Sequence, residues 1–156
     1  METNDLILKK LKKVKKVLER IPSINEGGCG YSALAMYLWL KKHKYPMENV
    51  SFVYLYSHNG YTYQHNENIF NKKKRGKPTS CSHVMINING TLHDSNSLLD
   101  SKSQSLLDLG FEVLHKHENI NVKQLKKSLS DDTSWNSCFH RETALPIISK
   151  KLGIKM

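Results

Sequence analysis

Few of the residues that mark a specialised class are present. Three cysteines in 156 residues are too few, and odd in number, for a disulfide framework, so each is read as a reduced thiol with its own explanation. No uncharged apolar run reaches membrane-spanning length, and the N-terminal stretch threads lysines through its apolar residues, which argues against a signal-peptide core. A soluble cytoplasmic protein with no membrane partner is expected. No internal repeat is seen, and 38% hydrophobic content suffices for one core and hardly for two, so residues 1–156 are read as a single domain. Acidic residues are scarce as well: 14 Asp+Glu stand against 24 Lys+Arg, for a formal net charge of +10.

The positive charge is clustered. In "LILKKLKKVKKVLERIP", Ile7, Leu11, Val14, Leu18 and Ile21 recur at steps of four and three, which lines one helical face while lysines cover the other. Residues 1–22 thus read as a basic amphipathic helix, from about Asn4 to Arg20, stopped by Pro22. The second cluster, "NKKKRGKP" at 71–78, has no apolar period and contains Gly76 and Pro78, the marks of a solvated loop. It belongs to a polar stretch, 58–80, too long for an idle connection. Either cluster suits phosphates or an acidic protein partner, and either also serves simply to keep a small protein in solution.

A second helix is expected from Cys29 to about His43, apolar almost all round (Tyr31, Leu34, Ala35, Met36, Leu38, Trp39, Leu40) and therefore central and buried. "NVSFVYLYS" (49–57) and "SHVMINI" (82–88) have strand composition, and the latter runs into Asn89-Gly90 and "TLHD", a hairpin signal. A strand near Phe111–Leu114, a short amphipathic helix in "NVKQLKKSL" and a C-terminal helix disturbed by Pro146 complete the chain. The expected class is α+β, with the central cysteine-bearing helix packed on a small antiparallel sheet.

Cys29 opens that helix between Gly28 and Gly30. Free N–H groups and aligned peptide dipoles at a helix start stabilise an anion, which favours a thiolate over a thiol. Gly27, Gly28 and Gly30 leave room for a carbonyl carbon to approach the sulfur and for its oxygen to reach backbone donors. The alternative is a small buried residue at a tight loop-to-helix junction, with the glycines serving backbone geometry alone.

A nucleophile needs a base. A two-residue turn at Asn89-Gly90 pairs Ile88 with Thr91, Asn87 with Leu92, Ile86 with His93, Met85 with Asp94 and His83 with Asn96. By strand alternation His83, Met85 and Asn87 share a face with Leu92, Asp94 and Asn96, which makes His83 and Asp94 diagonal neighbours, with Asn96 an auxiliary orienter. His93 belongs to the opposite face. An imidazole beside a carboxylate can hold one tautomer and take a thiol proton with its other nitrogen.

The order Cys, then His opening a strand, then Asp at the end of the next resembles the papain-like and transglutaminase-like thiol enzymes. "GGCGYSALAMYLWL" looks like their nucleophile helix and "HVMININGTLHDSN" like their His–strand–turn–strand–Asp element, over roughly residues 25–96; small phage-encoded proteins of this kind look similar. The resemblance implies Cys29 as nucleophile, His83 as base and Asp94 as orienting acid. It implies attack on an amide or peptide substrate, ending in hydrolysis or transamidation without a cofactor; the basic charge of the chain, separately, favours an acidic substrate. The papain pattern carries a Gln before the cysteine. Here Ser23, Ile24, Asn25 and Glu26 stand in that approach, and Asn25 with the Cys29 N–H takes the oxyanion role.

Two other readings compete. "CSH" at 81–83 and "CFH" at 138–140 could supply four ligands, Cys81, His83, Cys138 and His140, of a zinc-stabilised interaction domain, although Cys-x-His is a weaker pattern than Cys-x-x-Cys. The other is a non-catalytic basic protein that binds nucleic acid or an acidic protein.

Overall fold

A threonine opens the first helix. The Thr3 side chain accepts a hydrogen bond from the Leu6 N–H (3.4 Å) at the N-cap of α1 (Asn4–Glu19), and Asp5 complements the positive end of the helix dipole in its first turn. In the computed structural model the described residues are 3–24, 27–57, 83–95, 111–112, 121–131 and 139–156. The stripe Ile7, Leu11, Val14 and Leu18 is buried, as its spacing predicts, and Ile21 follows it into the core. Burying such a side chain contributes roughly 1.5–3 kcal/mol, so tertiary packing rather than propensity holds this lysine-rich helix in place.

The central helix, α2 (Cys29–Lys42), is buried along most of its length, from Cys29 through Met36 and again at Trp39 and Leu40. It packs on an antiparallel sheet of β1 (Val50–Ser57), β2 (His83–Ile88), β3 (Thr91–His93) and β4 (Phe111–Glu112) in the order β3-β2-β1-β4. Three strands form the body, and β4 joins through Tyr56↔Glu112 and Ser57↔Phe111. The chain is therefore α+β, with the cysteine at the first residue of its buried helix.

The hairpin register is the one expected: Ile88↔Thr91, Asn87↔Leu92 and Ile86↔His93. Asn89 (φ 50°) and Gly90 (φ 85°) both take left-handed backbone angles, as a type I′ turn requires. Alternation sorts the strands into two faces. Phe52, Val84, Ile86 and Ile88 join α2 and α1 in the main core, whereas Val53, Met85 and Leu92 form a second, smaller apolar cluster.

Two further helices complete the described chain. In α3 (Val122–Asp131), Asn121 Oδ1 accepts from the Gln124 N–H (2.9 Å) while Gln124 Oε1 accepts from the Asn121 N–H (3.0 Å), a reciprocal cap. In α4 (Arg141–Leu152), Pro146 does not disturb the helix as its ring suggested it would. Proline deprives only the Glu142 carbonyl of its donor, in the first, solvent-facing turn, and Ala144, Ile148 and Leu152 anchor the helix in the core. Gly153 ends it in the left-handed conformation (φ 61°), and its carbonyl accepts from Lys42 Nζ at 2.6 Å.

Candidate functional site at the start of the central helix

The approach to Cys29 is shaped by its two preceding glycines, each for a separate reason. Gly27 sits at φ 115°, which a side chain rarely tolerates. Gly28 has an ordinary φ of −95° but no room: a Cβ there would lie 2.7 Å from the Ile24 carbonyl oxygen and 2.8 Å from a ring carbon of Phe139. Packing against residues 24 and 139 thus occupies the space that the sequence suggested was open for a substrate at Gly28. Gly28 is the N-cap of α2 and has no side chain with which to cap the N–H groups of its first turn.

Cys29 follows as the first helical residue, 4% exposed. The end of the helix is walled by α3 and α4. Tyr31 stacks on Phe139 (centroids 5.4 Å apart), its hydroxyl donates to the Leu129 carbonyl at 3.3 Å, and hydrogen bonding with that hydroxyl holds the Arg141 guanidinium above its usual pKa. One turn beyond Cys29, Ser32 is 1% exposed; its N–H donates to the Gly28 carbonyl (2.9 Å), while its Oγ has no hydrogen-bond partner among the described residues. A buried, unsatisfied hydroxyl costs about 1–3 kcal/mol, which makes this serine a position to be accounted for. Sequence reading passed over it because it lies within an apolar helix; its spacing of three from Cys29 was the available signal.

The far end of α2 is tied to the far end of β2. The chain leaving the helix is held by a Tyr45 N–H to Leu40 carbonyl bond (3.1 Å), and Asn89, just past β2, donates from Nδ2 to the Tyr45 hydroxyl at 2.7 Å. Burial of that hydroxyl raises its pKa, with the Asn89 hydrogen bond opposing the rise. Helix and strand are packed together and of similar length, about 20 Å each from 1.5 and 3.3 Å per residue. With their last residues joined, their first residues, Cys29 and His83, lie toward the same end. β3 runs back antiparallel to β2 and delivers Asp94, 9% exposed, toward that end too.

Facing is a separate matter. The α2 helix covers the sheet face carrying Val84, Ile86 and Ile88, whereas position 83, paired with Leu55, has the parity of Met85, and Asp94 continues the parity of Leu92. By parity, positions 83 and 94 therefore belong to the sheet face opposite the one that α2 covers.

Asn25, Asn96, Cys81 and Cys138 lie outside the described residues, as do the polar stretch 58–80 and the basic cluster 71–78. Of the four cysteine and histidine positions of the zinc reading, His83 begins β2 and His140 is the exposed N-cap of α4. No group of three His, Cys, Asp or Glu able to hold a metal occurs among the described residues, and none of their helices is long and apolar enough to cross a membrane. Compared with known proteins, the chain matches no family model, no curated protein and no solved structure. Any functional reading therefore rests on the chemistry at this end of α2 and on the surface around it.

Proposed function

We propose that the chain is a thiol-dependent hydrolase or acyltransferase acting on an amide or peptide-type bond, with Cys29 as nucleophile, His83 as base and Asp94 as its orienting carboxylate. What supports the reading is that the first residue of α2, the first residue of β2 and the residue after β3 lie toward the same end of the helix–sheet layer, although positions 83 and 94 have the parity of the face away from α2. The glycine N-cap, which brings no side-chain acceptor of its own, adds to it, because N–H groups at a helix start can serve an anion.

In this reading the imidazole of His83 accepts the thiol proton as Cys29 Sγ adds to the carbonyl carbon. Negative charge moves onto the carbonyl oxygen and is held by N–H groups at the start of α2, with Asn25 as the side-chain donor. Collapse of the adduct breaks the C–N bond, and the imidazolium returns its proton to the leaving amine. A thioester remains on Cys29. Water or an amine then attacks it, giving its proton to His83, and Cys29 leaves as the thiolate.

The test is acylation by p-nitrophenyl acetate, followed by nitrophenolate release and by peptide mass spectrometry. The expected result is a burst of about one equivalent, an acetyl group on Cys29, and slow turnover, all lost in Cys29→Ser. Acetylation confined to Cys81, Cys138 or lysines, with no burst, would overturn the reading.

A further inference from the structure

The lysines of α1 form an ordered ridge. At 100° per residue, Lys9, Lys12, Lys13, Lys16 and Arg20 fall within about 100° of the helix circumference, opposite the buried stripe of Ile7, Leu11, Val14 and Leu18. All five are exposed. From Lys9 to Arg20 the ridge is about 16 Å long at 1.5 Å per residue, a length over which one strand of a duplex presents roughly five phosphates. Only Asp5 and Glu19, near its two ends, interrupt the sign of the charge. Grooves flank the ridge: one of about 630 Å³, where Lys9, Lys12 and Lys15 face Thr91 and His93 of β3, and one of about 330 Å³, where Lys10 and Lys13 face Trp39 and Lys151.

We propose that this face of α1 docks on the phosphodiester backbone of a nucleic-acid duplex, independently of Cys29. Three partners of the same charge are distinguished by what surrounds the lysines. An anionic membrane would take up the apolar face of a basic amphipathic helix, but that face is spent in the core, with Ile7, Leu11, Val14 and Leu18 at 0–4% exposure. An acidic protein would need apolar or aromatic anchors, since lysine is depleted from protein interfaces; among the described residues only Leu6 and Ile147 are large, apolar and exposed. Nucleic-acid interfaces are polar and strongly positive, which fits this ridge. Lysine also predominates over the chain, where Arg20, Arg75 and Arg141 are the only arginines. Lysine meets phosphate as a point charge, whereas arginine reads base edges with its fork, so binding is expected without sequence preference.

The test is fluorescence anisotropy with a DNA duplex of about 24 base pairs, titrated from 50 to 200 mM salt. With about five phosphates neutralised, affinity falls roughly 500-fold over that range. The quadruple variant K9Q/K12Q/K13Q/K16Q keeps helix propensity, and circular dichroism confirms its fold; it reduces the logarithmic salt slope by about three to four. Lys123, Lys126 and Lys127 are exposed on α3, and K123Q/K126Q/K127Q measures the effect of charge removal elsewhere. Loss of slope in the α1 variant alone, with a scrambled duplex bound equally, supports the proposal. An equal loss in the α3 variant, no binding at 50 mM salt, or tighter binding to vesicles containing phosphatidylserine than to the duplex would overturn it.

Discussion

Replacing Gly28 by alanine separates packing from chemistry at the candidate site. The backbone there accepts alanine, since φ is −95° and ψ is 0°. Any cost must come from the methyl group, which would be placed 2.7 Å from Ile24 O, 2.9 Å from Ile24 Cα and 2.8 Å from the Phe139 ring. Two of the three obstacles are backbone atoms of a turn whose side chains, Ile21 and Ile24, are both buried, so relief requires moving the turn rather than swinging a side chain. Overpacking of this kind costs about 1–3 kcal/mol, and alanine is also a poorer N-cap than glycine. The expected loss is about 2–3 kcal/mol in urea unfolding with an unchanged m-value, or about 5–10 °C in Tm for a chain of this size. A loss below about 0.5 kcal/mol, within the range of ordinary surface substitutions, would refute the argument that the Ile24–Phe139 contact dictates this glycine.

Other perturbations give distinct signatures. Met36→Ala, at a fully buried position of α2, should cost about 2–5 kcal/mol in denaturant unfolding, and a cost under 1 kcal/mol would contradict its place in the core. Gly90→Ala meets open space but keeps φ at 85°, so about 1–2 kcal/mol of backbone strain is expected with no packing loss; a neutral effect would argue against the type I′ turn. Tyr45 holds its proton more tightly folded than unfolded, because its hydroxyl is buried. Its contribution is fully present below pH 10.0 and is lost as pH rises through the higher folded value, so stability should fall with pH above that point. Tyr45→Phe should flatten that fall in pH-dependent Tm measurements while costing about 1 kcal/mol at neutral pH through the lost Asn89 bond.

Local signals in the sequence carried much of the architecture. The α1 stripe, the all-round apolar α2 and the Asn89-Gly90 turn each specify structure within a few residues, and the turn set the hairpin register one residue at a time. What was not legible depends on distant partners. The packing reason for Gly28 lies in Phe139, more than a hundred residues away. Strand alternation grouped His83 with Asp94, but which sheet face α2 would cover is decided by tertiary packing of Val84, Ile86 and Ile88. Pro146 looked disruptive by residue type, and only the exposed position of its ring and of Glu142 explains its tolerance.

The proposed pairing of Cys29 with the His83 imidazole is open to a simple kinetic test, the rate of iodoacetamide modification of Cys29 against pH. Adducts are located by peptide mass spectrometry, on wild type and on His83→Gln. A thiol of ordinary pKa loses roughly 240-fold in thiolate between pH 9 and pH 6. If the pair exists, the wild-type rate is expected to fall by less than about tenfold, with a return to the steep dependence in His83→Gln. A wild-type profile as steep as that of a free thiol, or one indifferent to His83, would contradict the pairing.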